Sequence, residues 1–233
     1  MDGCIHLRRP IFVDRWCDAC RESDRRALRT ADEYKFAAFN EKGENTGFSS
    51  GYSLSATEGI YGIYSNQEDE LLLVTGEYSV DPDGQTVMYK NLSVTAFDSS
   101  GKTLGVRCRI VKDFQTVEPT VEIDAPGNLY VKTGNTISSY HADGKLQFEE
   151  KYGELSGLYV IGDTLVAASV SMNLYPVSAN GSDSAVAKNL PGGASLVFEG
   201  CRDGLFAYNS AGVYSYNFEK CRWIPYCCGI IQI

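Results

Sequence analysis

The chain has 233 residues, enough for one all-β domain or two smaller ones, and its 43% hydrophobic and 12% aromatic content is sufficient for a core, which argues against disorder. A formal net charge of −9 argues against nucleic acid as a partner, because phosphate binding draws on clustered Lys and Arg. No window approaches the eighteen or so apolar residues that span a membrane, so no membrane insertion is expected.

Residues 1–30 differ in composition from the rest. They hold seven Arg, no Lys and five acids, a net of +2 that leaves −11 for the remainder. They lack the continuous apolar stretch of a secretory signal. Ile11-Phe12-Val13 has the makings of one short strand, and Asp18–Ala27 reads as a polar helix with Arg and Glu at helical spacing. The sequence therefore divides into an atypical Arg- and Cys-rich segment, 1–30, and a repeat region, 31–233, with the first segment standing outside the repeats.

From residue 31 onward a turn cassette recurs. An aromatic or aliphatic residue closing an apolar alternation is followed within four residues by Gly or a polar substitute. The copies are Phe39-Asn40-Glu41-Lys42-Gly43, Phe97-Asp98-Ser99-Ser100-Gly101, Tyr140-His141-Ala142-Asp143-Gly144, Val177-Ser178-Ala179-Asn180-Gly181 and Tyr216-Asn217-Phe218-Glu219-Lys220, with anchors 58, 43, 37 and 39 residues apart. About 40 residues per period with several short strands in each is the spacing of β-propeller blades.

The first copy shows Tyr34–Phe39 and a strand after Gly43. The second runs through Ile60–Tyr64, Leu71–Thr75 and Leu92–Phe97, with Val80–Gln85 as the largest loop on the array. The third is the most regular: Thr120–Asp124 as inner strand, a turn at Pro126-Gly127-Asn128, Leu129–Val131, a tight turn at Gly134-Asn135, Ile137–Tyr140, a turn at Asp143-Gly144, and Leu146–Phe148. Four strands in about thirty residues leave no room for a crossover helix, so the sheet is antiparallel and up-and-down. The fourth reads as Gly157–Val160, Leu165–Val170, Asn173–Val177 and a last strand near Ala185–Ala187. The fifth reads as Leu196–Phe198, Leu205–Tyr208, Val213–Tyr216 and Arg222–Ile224. The fold class expected is all-β, a β-propeller of four-stranded antiparallel blades, with four to five blades present and the ring incomplete.

Pro126-Gly127-Asn128-Leu129-Tyr130-Val131, Ile137 to Tyr140 and Asp143-Gly144-Lys145 resemble the NHL-type propeller repeat. The wider run from Tyr34-Lys35-Phe36 through Phe97–Lys102 to Trp223-Ile224-Pro225 is similar to propeller domains of bacterial extracellular solute-binding lipoproteins. The resemblance covers about residues 34–233. It implies an extracellular or cell-envelope location, although the segment before the repeats carries no signal, which leaves the cytoplasm open.

Chemistry-bearing residues are sparse. His6 and His141 are the only imidazoles, and His141 stands at the turn position that Asn40, Asp98 and Asn217 occupy in other copies, so it reads as a surface turn residue. No G-x-S-x-G elbow or phosphate-binding loop occurs. Cys4, His6, Cys17 and Cys20 supply four soft ligands in an unrecognised spacing, which makes a weak zinc signal. Asp81-x-Asp83-Gly84 lacks the acid a calcium loop needs at its twelfth position, where Leu92 stands. The eight cysteines read as mostly unpaired. The sequons at Asn91 and Asn180 read as chance matches.

Tyr61, Tyr64, Tyr89, Tyr130, Tyr159, Tyr175, Tyr208, Tyr214 and Tyr216 recur on strands as core packing, with a sugar- or peptide-stacking groove as the second reading. The function expected is a non-catalytic interaction or ligand-binding module, with no cofactor, that meets a protein or small solute at a rim of loops. The rival is a metal-dependent propeller enzyme of lyase or lactonase type, for which Glu122 and Asp124 are the candidate inner-strand ligands. A third reading is a fragment of a larger propeller that self-associates through an uncovered blade. No catalytic, binding or metal residue is assigned from the sequence alone.

Overall fold

The computed structural model describes residues 11–15, 32–39, 45–82, 84–161, 164–170, 174–178, 181–182, 197–201, 204–209, 212–217 and 222–225. The expected helix at Asp18–Ala27, the cysteine and histidine group at Cys4–Cys20, and the last strand expected near Ala185–Ala187 lie outside them. Every regular element among the described residues is a strand, and the chain divides into two compact units, Met1–Glu118 and Pro119–Ile233.

The first unit holds two sheets. One is three-stranded, with β1 (Ile11–Arg15), β2 (Asp32–Phe39) and β3 (Asn45–Leu54) in that order. β1 pairs antiparallel with β2 from Ile11↔Ala38 to Arg15↔Tyr34, so the ladder crosses the compositional boundary at residue 30. The second sheet is a four-stranded meander of β4 (Glu58–Ser65), β5 (Leu71–Val80), β6 (Val87–Phe97) and β7 (Thr103–Gln115). In β5 the run Leu71–Gly76 is buried on both faces, which is why it reads as continuous apolar sequence without alternation. Phe36 and Phe48 of the first sheet pack with Leu71, Leu73 and Phe97 of the second, and Tyr52, Ile60 and Ile63 border that cluster.

The second unit holds three meanders. They are β8 (Thr120–Ile123) to β11 (Leu146–Lys151) through β9 (Leu129–Thr133) and β10 (Thr136–Tyr140); β12 (Leu155–Ile161) to β15 (Gly181–Ser182) through β13 (Thr164–Ser169) and β14 (Leu174–Ser178); and β16 (Val197–Cys201) to β19 (Arg222–Pro225) through β17 (Gly204–Asn209) and β18 (Gly212–Asn217). β12, the first strand of its sheet, lies beside β8 and beside β16, the first strands of the other two. Ile137 of β10 packs with Leu155, Leu158 and Val160 of β12 and with Leu165 and Ala167 of β13. Successive four-stranded meanders with adjoining first strands are the build of propeller blades, and the fold is all-β of that type.

In the two copies whose turns are fully described, at Asp98 and His141, the cassette is a three-residue hairpin loop. At Asp98 the amide donates to the Lys102 carbonyl at 2.9 Å and the carbonyl accepts from Gly101 N–H at 2.9 Å. The same two bonds recur from Asp124 to Asn128 and Gly127, and from His141 to Lys145 and Gly144. The glycine has φ of 92°, 94° and 85° in the three turns, a left-handed conformation that a Cβ disfavours. The first residue is an acid or amide because its side-chain oxygen accepts the fifth residue's N–H: Asp98 from Lys102 at 3.0 Å, Asp124 from Asn128 at 2.7 Å, Asn66 from Glu70 at 3.0 Å. The Ser100 hydroxyl and these amides hold the exposed Asp98 carboxyl below the ordinary range. His141 has no such oxygen, and Asp143 takes over by accepting from Lys145 N–H at 3.1 Å.

Thr75 is fully buried at 0% exposure, and its hydroxyl has no hydrogen-bond partner among the described residues. An unmade buried hydrogen bond is a cost that an isosteric methyl removes. Thr75→Val is therefore expected to stabilise the chain by about 1 kcal/mol, a rise of about 2–4 °C in Tm. A thermal melt checks it; a Tm lowered by that amount would mean that the hydroxyl is satisfied in solution.

Candidate functional site

Past Gly76 the second sheet changes character. β5 passes from buried at Leu71–Gly76 to largely exposed at Glu77–Val80, and β6 is only half-covered or exposed from Val87 to Asn91 before it enters the core at Leu92. The loop expected at Val80–Gln85 stands one residue further on, at Asp81–Thr86, because the ladder continues to Val80↔Val87. The extra length of this repeat is strand, and it carries β5 and β6 past the core as an arm that β7 follows as far as Tyr89↔Gln115. Asp81 N–H donates to the Thr86 carbonyl at 2.9 Å and Gly84 N–H to the Asp81 carbonyl at 2.8 Å, an ordinary hairpin turn.

The arm begins at a row of β-bulges across the sheet. Ile60 pairs with Thr75 and Gly62 with Val74, which leaves Tyr61 as the extra residue on β4. Gly76 pairs with Leu92 and Glu77 with Lys90, which leaves Asn91 as the extra residue on β6, at φ 47°. On the other side of β6, Leu92 pairs with Ile110 and Lys90 with Asp113, so Val111 and Lys112 are also out of step. A bulge bends its strand and shifts every later side chain to the other face. Here the Asn91 bulge sets Tyr89 directly opposite Tyr78. The Asn91 side chain donates to Glu77 at 3.0 Å, which ties the bulge to the neighbouring strand.

Three tyrosines gather at this bend. Gly59 and Gly76 are register partners, and the bare backbone they share lets the Tyr61 ring lie across it. A Cβ at Gly76 would stand 2.7 Å from Tyr61 Cε2, 2.8 Å from Leu92 Cδ2 and 2.9 Å from the Asn91 carbonyl oxygen. A Cβ at Gly59 would meet the rings of Tyr61 and Tyr78 at 3.8 and 3.9 Å. The Tyr78 hydroxyl donates to the Ala56 carbonyl at 3.3 Å, and Tyr78 N–H donates to Thr57 at 2.7 Å. The Glu118 carboxylate stands beside the Tyr89 hydroxyl; burial raises the Tyr89 pKa, and the nearby Glu118 carboxylate raises it further. Burial first, then the negative charge of Glu118, then the Tyr89 and Tyr78 hydroxyls hold the Tyr61 phenol far above its ordinary range.

The carboxylates weighed as inner-strand metal ligands have other employment or setting. Asp124 is 8% exposed, and besides the turn amide it accepts from Asn128 Nδ2 and the Tyr130 hydroxyl, both at 2.8 Å. Glu122 stands near Tyr159 on β12, whose phenol burial and then that charge push up to about 12. No group of three or more His, Cys, Asp and Glu side chains is placed to hold a metal among the described residues. His141 is exposed in its turn, with Nδ1 2.7 Å from Gln147 Nε2. Cys108 is buried on β7.

Of the tyrosines singled out in the sequence, Tyr61 and Tyr89 come together at the arm. Tyr130 and Tyr159 are half-buried in the second unit, and nothing is described of the Tyr175, Tyr208 and Tyr216 side chains. Sequence reasoning missed Tyr78 and Glu118. The available signal was the pair of glycines flanking the tyrosines, Gly59-Ile60-Tyr61 and Gly76-Glu77-Tyr78.

No family model matches the sequence, and no curated protein does. Among solved structures the chain is similar to a protein of unknown function from Bacteroides caccae, at 14% identity and TM-score 0.39 over 78% of each chain. It is also similar to HIRA(644-1017), at 14% identity and TM-score 0.43 over 72% of this chain and 52% of that one. A third is Kluyvelomyces marxianus Hsv2, at 10% identity and TM-score 0.36 over 85% of this chain and 82% of that one. These are distant likenesses of fold alone.

Proposed function

We propose that the chain is a non-catalytic interaction module and that the tyrosine face of the bent arm is its recognition surface in the first unit. The observation that supports this most is the placement of Tyr61, Tyr78 and Tyr89. They stand together where the sheet leaves the core, Tyr61 at its edge and Tyr78 and Tyr89 beyond it, set by two bulges and a pair of glycines. Aromatic side chains give large, rigid contact area at small entropic cost, and their hydroxyls serve a polar partner. Half-buried rings with anchored hydroxyls are pre-organised, so little ordering is required on binding.

The NHL-type resemblance and a place in the bacterial cell envelope, as part of a solute-binding or scaffolding protein, belong to the same proposal. The partner is a protein segment or small solute that lies across the arm. Selection of phage-displayed random dodecapeptides on the purified chain tests the surface. Chosen peptides are expected to lose about tenfold or more in affinity on the Tyr78→Ala/Tyr89→Ala variant, the size of a hot-spot loss. Binders that are all indifferent to those two substitutions, on a variant with an unchanged melt, would place recognition elsewhere.

A further inference from the structure

The chemistry at the arm is one-sided in charge. The groups whose charges bear on the Tyr61 phenol are Glu118 and the neighbouring phenols. Lys90, the basic residue beside Tyr89, pairs in register with Glu77 on one side and Asp113 on the other. Successive strand residues point to opposite faces, so Lys90 lies on the face away from Tyr89. The Glu118 carboxylate stands beside the Tyr89 hydroxyl and puts a negative charge next to that ring. The chain as a whole carries −9, so its field draws cations toward such a surface.

Resting on the recognition surface proposed above, the geometry points to a cation as the ligand of this site: an alkylammonium group, of the kind a lysine side chain or quaternary amine presents, seated against Tyr61, Tyr78 and Tyr89 beside Glu118. Aromatic faces attract such a group through the ring quadrupole, and a carboxylate at the rim adds a direct charge partner. A saccharide would call instead for several amide and carboxylate groups fanned around a stacking ring. Asn91 is held by Glu77, which faces away from Tyr78 as its strand neighbour, and that leaves one amide at the rings, Gln115, the register partner of Tyr89 on β7.

The test uses tetramethylammonium chloride as probe, with sodium chloride at matched ionic strength and tert-butanol as a neutral isostere, read by NMR shifts of the tyrosine ring protons. The expected result is saturable shifts on Tyr61, Tyr78 and Tyr89 with tetramethylammonium alone. Binding should weaken at least about fivefold in Glu118→Gln and in Tyr89→Ala, and be largely kept in Tyr89→Phe, which retains the ring. Equal saturation by tert-butanol would overturn the cation and leave an apolar recognition surface. Shifts that survive Glu118→Gln and Tyr89→Ala unchanged, or no saturable shift at all, would overturn the cation assignment. The surface itself would fall only if the selected peptides also ignored Tyr78 and Tyr89.

Discussion

Truncating Phe97 to Ala lowers the stability of the first unit by about 3–5 kcal/mol, the usual cost of emptying a phenylalanine-sized space in a packed interior. Phe97 is 0% exposed and closes β6 at the foot of its turn. Its ring stands 6.3 Å from that of Phe36, tilted 52°, and the two share a cluster with Phe48, Leu71 and Leu73. Those side chains come from both sheets of the unit, so one truncation loosens β2 and β3 from β5 and β6 together. Urea unfolding followed by far-UV circular dichroism measures the loss, and Phe97→Leu, which keeps most of the volume, should recover more than half of it. A cost below about 1 kcal/mol, the range of surface substitutions, would mean that the two sheets do not share this core.

Asp124→Ala is expected to cost about 2–4 kcal/mol, because one nearly buried carboxylate serves three donors and its loss leaves them stranded. Asn128 N–H, Asn128 Nδ2 and the Tyr130 hydroxyl all point at it, at 2.7, 2.8 and 2.8 Å. The turn at Gly127 would then keep only its two backbone bonds. Asp124→Asn is the informative companion. It keeps an acceptor for the amide of Asn128 but replaces the second oxygen with a donor facing Tyr130, so an intermediate loss is expected. Chemical denaturation of the two variants checks the order; equal and small losses would show that the bracket is dispensable.

Local chemistry made the hairpins legible. Asp98-Ser99-Ser100-Gly101 and His141-Ala142-Asp143-Gly144 turn where the sequence says, because an acid and a glycine with positive φ are what the loop requires. The run Leu71–Thr75 announced a strand, and its burial on both faces accounts for the unbroken apolar stretch Leu71–Val74. β7 was missed although its apolar residues keep a period of two through Leu104, Val106, Cys108, Ile110 and Phe114, with Arg107 and Arg109 on the alternate positions and Lys112 as the one interruption. Its pairing with β6 shifts register four times. Those same shifts twist the outer strand out of regular pairing, which blunts an edge otherwise open to another chain.

The tyrosine site was hidden for a related reason. Tyr61, Tyr78 and Tyr89 lie on three different strands, and a plain two-residue period puts Tyr78 opposite Lys90 instead of Tyr89. Only the extra residue at Asn91 brings Tyr89 round, and no residue type by itself announces a bulge. Gly76 and Asn91 are permissive for one, and they are the marks that were present.

That register is the point on which the recognition surface depends, and cross-strand NOEs in the isotope-labelled chain read it directly. The expected contacts join Gly59 with Gly76, Tyr78 with Tyr89, and Glu77 with Lys90, while Asn91 is without an opposite number. Contacts joining Glu77 with Asn91 and Tyr78 with Lys90 would put Tyr89 on the far face of the sheet, and the surface argued for here would not exist.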